Sequence, residues 1–245
     1  MANTFFQFKK FIVHQEHTSM KVCTDACLFG GWLAKEAPIQ NAYTILDIGT
    51  GTGLLSLMLA QANDTVSITA LEIDPMAAKQ AAQNFSLSPW ANRINGIENA
   101  LQNFVKESSC KNFDCIISNP PFYEGDLLSP DVQKNLAAHS TALPWETLID
   151  NTYHLLKEGG FFYVLVPSLR AYTFQKIASQ KGIHLDTEIT IYNSSMTGPF
   201  RSILKFAKAV DFNKQIMRQR INLKDMDNNY TAEFTNLLSP YYLHL

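Results

Sequence analysis

A regular alternation of strand-like and helix-like segments begins at Tyr43 and most constrains how this chain can fold. Short apolar runs rich in β-branched and aromatic residues predict strands, and the longer segments between them carry apolar residues at helical spacing. Alternation at this pitch predicts an α/β fold with a doubly wound, mostly parallel sheet of seven strands and helices on both faces. The strands are predicted at 43–46, 66–71, 93–97, 113–117, 161–166, 183–191 and 202–210, and the helices at 54–60, 76–85, 144–156 and 169–180.

The length of 245 residues suits one large α/β domain. We expect a cap segment at 1–42, a catalytic core at 43–210 and an extension at 211–245. In the cap segment, Thr24 is the predicted N-cap of a first helix, and Gly30-Gly31 within that helix predicts close packing or a bend. Gly159-Gly160 is predicted to end the helix that Pro144 begins.

Composition indicates where the protein acts and which kinds of partner it can bind. The longest apolar run, 161–166, is too short to span a bilayer, and no secretory signal is visible, so we expect a cytoplasmic protein without membrane contact. The cysteine spacings match no zinc signature, which indicates reduced thiols, and His14-x-x-His17 lacks the partners of a metal site. A net charge of −2 means that any contact with nucleic acid must come from local basic patches. We expect a monomer.

The loop Asp47-Ile48-Gly49-Thr50-Gly51-Thr52-Gly53 joins the first predicted strand of the sheet to its helix. Glycines there let the backbone approach a ligand closely, at the carboxyl end of a strand where open α/β sheets bind cofactors. A dinucleotide-binding loop would place its third glycine at Leu54. Asp47 favours a cofactor with an ammonium group over one with a pyrophosphate.

Carboxylate and amide side chains follow the next two predicted strands. Glu72 lies about 20 residues past the glycines, where a carboxylate can bind ribose hydroxyls. Asp74 followed by Pro75 is typical of a helix N-cap. Asn99 either contacts an adenine edge or is an ordinary loop residue. Together these residues predict a site for S-adenosylmethionine, an adenosine that carries an amino-acid tail.

The stretch Ser118-Asn119-Pro120-Pro121-Phe122 follows the buried strand at 113–117. The two prolines stiffen the backbone and cannot donate hydrogen bonds, so the Asn119 amide oxygen and the Pro120 carbonyl are free acceptors. Two fixed acceptors beside an aromatic ring suit a planar group that bears an NH2. A tight turn with Phe122 packed in the core explains the tetrapeptide equally well.

The combination Asp-x-Gly-x-Gly-x-Gly, Glu-x-Asp and Asn-Pro-Pro-Phe resembles the class I S-adenosylmethionine-dependent N-methyltransferases, which have a Rossmann-like fold. The chain is most similar to the bacterial adenine-N6-methyltransferases that modify valine tRNA beside the anticodon. The similarity covers about 5–238. Cys23 departs from an expected glycine, and Asn99 from a frequent aspartate. The segments that carry this narrower resemblance are 19–25, 45–53, 88–90, 119–122 and 138–140.

The resemblance implies roles for individual residues. Asn119 and Pro120 would hold the amine of adenine, with Phe122 stacking on the base, and these are the expected catalytic residues. A loop at 123–141 is the expected lid. The expected cofactor contacts are Thr24, Asp47, Gly49, Gly51, Gly53, Glu72, Asn99 and Asn119. The expected substrate contacts are Pro121, Phe122, Tyr123, His139 and Arg201, with no metal ligand.

Two segments have an RNA-binding interpretation beside a structural one. The aromatic run at 5–12 is either a stacking platform with Lys9 and Lys10 or a strand that docks its phenylalanines on the domain. The basic residues between Arg201 and Lys224, with Lys9, Lys10 and Lys21, form either a phosphate-binding surface or a solvated face. The run is Arg201, Lys205, Lys208, Lys214, Arg218, Arg220 and Lys224.

Four other functions compete with tRNA adenine methylation. A glutamine-N5 protein methyltransferase would carry a larger domain before the glycine loop, which about 45 residues do not provide. A DNA adenine methyltransferase would need a target-recognition domain. A guanine-N2 rRNA methyltransferase shares the Asn-Pro-Pro-Phe stretch and stays open. A non-catalytic RNA-binding module is disfavoured by the intact Asp47, Glu72 and Asn119.

Overall fold

The computed structural model describes residues 3–18, 20–107, 112–121, 143–209 and 215–245. Ten strands and eight α-helices lie in these ranges. They are β1 Phe5–Gln7, β2 Ile12–His14, α1 Thr24–Leu33, α2 Ala37–Gln40, β3 Thr44–Ile48, α3 Leu54–Ala62, β4 Ser67–Glu72, α4 Pro75–Ser86, β5 Ile94–Glu98, α5 Leu101–Glu107, β6 Phe113–Ser118, α6 Trp145–Leu155, β7 Leu156–Pro167, α7 Ala171–Gln180, β8 Ile183–Ser194, β9 Pro199–Lys208, β10 Met217–Lys224 and α8 Ala232–Leu238.

Eight of the strands form one sheet in the order β10-β8-β9-β7-β6-β3-β4-β5. Strand β9 is antiparallel to both of its neighbours, and the other seven strands share one direction. The α/β class and the mostly parallel sheet are confirmed, but the predicted count of seven strands is wrong. The additional strand is β10. Its first four residues are exposed and only Ile221 and Leu223 are buried, so its sequence shows little of the alternation that predicts a strand.

Helices cover both faces of the sheet. One face packs on α1, α3, α4 and α8 through a cluster that includes Phe29, Leu57 and Phe234. The other face packs on α5, α6 and α7 through a cluster that includes Phe162 and Phe174. Because the strands of a parallel sheet are buried on both faces, their sequences are nearly continuous apolar runs.

The N-terminal aromatic segment forms the hairpin β1–β2, with Phe5 opposite His14. Phe8 and Phe11 are buried and stack on each other with ring centroids 4.5 Å apart. The hairpin docks these phenylalanines on the domain. For Phe8 and Phe11 this confirms the structural interpretation of residues 5–12.

Two predicted helix ends differ from the structure. Helix α1 begins at Thr24 with Cys23 at the N-cap position and no side-chain cap, so the prediction of Thr24 as N-cap is wrong. Helix α6 ends at Leu155 rather than at the glycine pair, because Leu156 already pairs with Phe113 in the sheet. The predicted cap at Asp74 is confirmed, since its side chain accepts a hydrogen bond from Ala77 N at 2.8 Å.

Candidate active site

A cavity of about 520 Å³ lies at the carboxyl ends of β3, β4, β5 and β6. This is the edge where open parallel sheets bind their ligands. Its lining combines a mainly apolar surface with a few polar groups. The lining residues are His17, Thr18, Met20, Ile48, Gly49, Gly51, Leu71, Glu72, Ile73, Asp74, Met76, Ala77, Asn99, Leu101, Gln102, Ser118, Asn119, Pro120, Pro121 and Leu143.

The glycine loop turns its backbone towards this cavity. Gly49 and Gly51 have φ angles of +71° and +57°, and a Cβ atom at either position would point into open space. Gly53 has a different role: it precedes α3 with a φ of +83°, and a Cβ there would overlap the Phe85 ring. Gly53 therefore serves packing, and it is absent from the cavity lining.

Asp47 lies beneath the loop rather than on the cavity wall, with 1% of its surface exposed. Its Oδ2 accepts hydrogen bonds from Thr50 Oγ1 at 2.6 Å and Ser56 Oγ at 2.7 Å. Burial raises the pKa of Asp47 to about 6, against these two hydrogen bonds, which lower it. The Oδ2 atom thereby ties the loop to the start of α3, whereas Oδ1 has no hydrogen-bond partner among the described residues. The expected contact of Asp47 with a cofactor stays a prediction.

Glu72 lies on the cavity wall at the end of β4. One carboxylate oxygen accepts from Gly51 N at 2.8 Å, and the other accepts from Ile73 N at 2.9 Å and Asp74 N at 3.0 Å. These three backbone bonds fix the carboxylate in one position next to the glycine loop. A fixed carboxylate retains lone pairs for the hydroxyls of a sugar.

Asn99 also lies on the cavity wall, after β5. Its backbone N–H donates to the Glu72 carbonyl at 2.9 Å, which joins the ends of β4 and β5. Its side-chain Nδ2 donates to Glu107 Oε2 at 3.1 Å. The amide is therefore oriented by α5, and its position on the wall is consistent with the predicted contact to an adenine ring.

The proline-stiffened corner after β6 forms the next part of the wall. Ser118 Oγ donates to the Ile48 carbonyl at 2.9 Å, which fixes the corner to the end of β3. Asn119 is half-buried, and its Nδ2 lies 3.9 Å from Met20 Sδ. Its Oδ1 is buried and has no hydrogen-bond partner among the described residues. Because a buried acceptor without a donor is costly, this oxygen suits a ligand that donates.

Three expected substrate contacts, Phe122, Tyr123 and His139, lie outside the described residues, as does the expected lid at 123–141. Pro120 and Pro121 lie on the cavity wall, Pro120 buried and Pro121 exposed.

The N-terminal segment supplies wall residues that the sequence reasoning missed: His17, Thr18 and Met20. Gln15 and Asn84 hold this segment in place. Gln15 Oε1 accepts from Val22 N at 2.8 Å, and Asn84 Nδ2 donates to the carbonyls of His14 and Thr52, both at 2.8 Å. A segment held by side-chain hydrogen bonds of this kind has no periodic pattern in the sequence. The only signal was the family resemblance, which includes the Met-Lys-Val segment.

Thr24 and Arg201 do not line this cavity. Both line a second cavity of about 530 Å³, where Arg201 Nε lies 3.0 Å from Asp25 Oδ2. The structure therefore does not bring these two expected contacts together with the others.

The basic run is largely paired with acidic residues. The side chains of Lys205 and Lys208 are 13% and 12% exposed, and they pair with Glu36 at 2.7 Å and Glu158 at 3.0 Å. Neither alternative, a phosphate-binding surface or a solvated face, therefore holds for these two lysines. Arg218 and Arg220 are exposed on β10, and Arg220 lies 3.8 Å from the centre of the Tyr192 ring. Lys214 lies outside the described residues.

Within the described ranges, Cys23, Cys27 and Cys115 are free thiols. The same ranges contain no group of three or more His, Cys, Asp or Glu that could hold a metal ion. No helix in the described part of the chain is long and apolar enough to cross a membrane.

The arrangement combines an open glycine backbone, a fixed carboxylate and an amide corner around one cavity. The first two groups suit a ligand with a ribose and polar tail, and the corner offers an acceptor to an N–H donor at the far wall. Among the described wall residues, the hydroxyls of Thr18 and Ser118 donate to backbone carbonyls and not to a base, which favours chemistry by positioning over covalent catalysis.

Comparison with known proteins points to one reaction class. Residues 31–173 match the family model of the methyltransferase small domain. Proteins named tRNA1(Val) (adenine(37)-N6)-methyltransferase are similar over nearly the full length. The Dyadobacter fermentans protein is 39% identical over 98% of both chains, the Bacteroides thetaiotaomicron protein 38% over 100% of both, and the Escherichia coli O157:H7 protein 35% over 98% of this chain and 95% of its own.

Solved structures support the fold. A predicted O-methyltransferase from Agrobacterium tumefaciens matches with a TM-score of 0.66 and 15% identity, over 86% of this chain and 95% of that one. A T. Thermophilus 16S rRNA N2 methyltransferase in complex with AdoMet and guanosine matches with a TM-score of 0.56 and 16% identity, over 83% of this chain and 49% of that one. At these identities the matches show the class I methyltransferase fold alone.

Proposed function

Because this chain belongs to the methyltransferase small domain family, and within it to the tRNA1(Val) (adenine(37)-N6)-methyltransferases, we propose that it methylates N6 of an adenosine in tRNA. The proposed adenosine lies at position 37, beside the anticodon of a valine tRNA, and the proposed methyl donor is S-adenosylmethionine. The observation that carries the proposal is the buried Asn119 Oδ1 on the cavity wall, which no described residue hydrogen-bonds. We also propose that the protein acts in the cytoplasm as a monomer, and that residues 1–245 form one domain.

The residues present fit S-adenosylmethionine. Glu72 would accept from the ribose hydroxyls, Asn99 would contact the adenine, and the open backbone of Gly49 and Gly51 would lie against the amino-acid tail. When bound, S-adenosylmethionine supplies a methyl group on a positively charged sulfur. Asp47, buried behind the loop, contributes negative charge near the tail without touching the cavity.

The proline-stiffened corner orients the nucleophile. The exocyclic amine of adenine is weakly nucleophilic because its lone pair is delocalised into the ring. Asn119 Oδ1 and the Pro120 carbonyl would accept hydrogen bonds from its two N–H groups, which holds the nitrogen lone pair towards the methyl group and stabilises positive charge as it develops on nitrogen. No strong base is needed for the attack, because the amine is neutral. The methylated nitrogen carries one positive charge and then releases one proton to solvent. We propose that Phe122 stacks on the base after it leaves the loop stack.

We expect Asn119→Ala to lower kcat for methyl transfer about 10²- to 10³-fold, the usual effect of removing one electrostatic contact to a transition state. Binding of S-adenosylhomocysteine should be little changed, because the contacts to ribose and adenine remain. Transfer is measured with labelled cofactor and tRNA followed by nucleoside analysis, and binding by calorimetry.

Asn95→Ala is the matched control, because Asn95 is an exposed asparagine on β5 outside the cavity. It should retain wild-type kcat. A normal rate in Asn119→Ala would remove Asn119 from the mechanism. Detection of N2-methylguanosine in place of N6-methyladenosine would replace the proposed substrate with the guanine-N2 alternative.

A further inference from the structure

A second cavity of about 530 Å³ lies at the edge of the sheet where β8 and β10 end and β9 begins. Its lining contains two cationic side chains, two aromatic rings and two amides, with one carboxylate. The residues are Thr24, Asp25, Asn193, Phe200, Arg201, Leu223, Lys224, Asn228 and Tyr230.

This cavity opens on the same edge of the sheet as the candidate active site. Ser118 pairs with Val164 of β7, and Arg201 pairs with Pro167 of the same strand. Arg201 therefore lies two strands from Ser118, about 10 Å across the sheet at the usual strand spacing, and three residues farther along β7, about another 10 Å in the strand direction. On the other side, Thr24 follows Met20 of the first cavity by four residues, a reach of at most about 14 Å. A few single-stranded nucleotides can span these distances.

The aromatic part of the cavity is held rigidly. Tyr230 stacks on Phe234 of α8 with ring centroids 4.4 Å apart and an interplanar angle of 15°, and it remains 49% exposed. Its backbone forms a bridge with Lys224 across the turn at 225–229. Because stacking on a preorganised ring loses little conformational entropy, such a ring is a good platform for a base.

The charged part of the cavity is positioned beside this ring. Lys224 Nζ lies 5.7 Å from the centre of the Tyr230 ring and donates to Asn228 Oδ1 at 2.9 Å. Arg201 is oriented by its ion pair with Asp25 at 3.0 Å. Among the described lining residues, two cations and one carboxylate give a positive balance, which suits a phosphate group next to the platform.

We propose that the second cavity binds a nucleotide of the same RNA that flanks the target adenosine, with its base on Tyr230 and its phosphate beside Lys224 and Arg201. The inference rests on the proposed function and extends it, because a neutral protein needs a local contact to hold its RNA. An aromatic ring can stack on any base. The cavity would therefore fix the path of the RNA strand, and other contacts would recognise its sequence.

Binding of an anticodon stem-loop RNA, measured by fluorescence anisotropy with S-adenosylhomocysteine present, tests the inference. Tyr230→Ala should raise Kd about tenfold, whereas Tyr230→Phe should bind nearly as wild type because it retains the ring. Lys224→Gln should weaken binding and lower the slope of log Kd against log salt by about one, as expected for the loss of one phosphate contact. S-adenosylhomocysteine affinity, measured alongside, should not change in any variant.

A matched control uses Tyr172→Ala and Lys176→Gln, an exposed aromatic and an exposed lysine one turn apart on α7. Both should bind the stem-loop as wild type. Stem-loops with an abasic nucleotide at each loop position in turn complete a double-mutant cycle. The penalty of Tyr230→Ala should vanish for the RNA that lacks the stacked base.

The outcomes separate the inference from the proposed function. If wild type neither binds nor methylates the stem-loop, the proposed function fails and the inference with it. If wild type methylates the RNA but Tyr230→Ala and Lys224→Gln bind it unchanged, only the second cavity is misassigned. A penalty that persists with every abasic RNA contradicts base stacking at Tyr230.

Discussion

Two carboxylates beside the glycine loop, Asp47 and Glu72, have similar positions in the sequence but different surroundings in the fold. Asp47 is enclosed by hydroxyls, and burial raises its pKa to about 6. Glu72 reaches the cavity wall and receives three backbone N–H groups. Both residues follow a strand and both were expected to contact the cofactor. Their depth in the fold places Glu72 on the cavity wall and Asp47 beneath the loop.

The raised pKa of Asp47 predicts a pH effect on stability. The folded state binds this proton more tightly than the unfolded state does, so stability falls as pH rises from about 4 to about 6 and is constant above that. The cost at pH 7 is on the order of 3 kcal/mol for a shift of this size. Asp47→Asn should remove this dependence, as measured by urea unfolding between pH 4 and pH 8.

Asp114→Asn provides a control of opposite sign. Although burial opposes it, hydrogen bonds from Lys157 and Thr44 hold the pKa of Asp114 below its ordinary value. Its contribution to stability is therefore present above the unfolded pKa and is lost as pH falls. If the free energies of unfolding of wild type and Asp47→Asn changed in parallel over the whole pH range, the raised pKa of Asp47 would be contradicted.

At the scale of the element, helix α1 is fitted between two other helices by its glycine pair. A Cβ at Gly31 would lie 2.8 Å from the Leu237 carbonyl oxygen of α8, and one at Gly30 would lie 2.5 Å from Met58 Sδ of α3. The close packing predicted from Gly30-Gly31 is confirmed. The two contacts differ in kind, since one faces fixed backbone and the other a flexible thioether.

We therefore expect Gly31→Ala to destabilise the protein by about 1–3 kcal/mol, because the backbone of α8 must move. Gly30→Ala should cost less, since the Met58 side chain can shift and alanine favours the helix by about 1 kcal/mol. Urea unfolding of both variants at one pH measures the difference. A larger loss in Gly30→Ala than in Gly31→Ala would show that α8 yields more readily than the core around Met58.

At the scale of the whole molecule, Asn84 joins three parts of the chain that lie far apart in sequence. From α4 its buried side chain bonds to both backbone groups of His14 in the N-terminal hairpin and to the Thr52 carbonyl of the glycine loop. The hairpin thereby holds His17, Thr18 and Met20 against the cavity. The cofactor site depends on a segment outside the sheet that carries the rest of it.

Asn84→Ala should leave three backbone groups without partners and weaken S-adenosylhomocysteine binding about tenfold, because an unpaired buried group costs about 1–3 kcal/mol. Calorimetry measures the affinity, and hydrogen exchange should show a loss of protection at the His14 amide. Ser86→Ala, at an exposed position of the same helix, is the control and should match wild type in both measurements. Unchanged protection at His14 would mean that the hairpin is held by its aromatic packing alone.

The alternation of elements was predictable because burial on both faces imposes apolar runs whose length and spacing identify strands and crossovers. The predicted strand at 66–71 and helix at 76–85 each agree with β4 and α4 to within one residue at each end. Strand β10 was missed because an edge strand buries one face and leaves its charged residues exposed. Its pairing with β8 is a long-range contact that no local pattern of MRQRINLK reports.

The sequence by itself determined the α/β class, the family and the two loops that meet at the cavity, because strand ends of a parallel sheet converge on one edge. Glu72, Asn99 and the Asn119 corner follow from that rule. The tertiary structure alone decided that Asp47 lies beneath the loop, that Gly53 packs against Phe85, that Met20 lies beside Asn119, and that Arg201 lines a separate cavity. Those outcomes depend on side-chain depth and on contacts between distant segments, which a one-dimensional pattern does not encode.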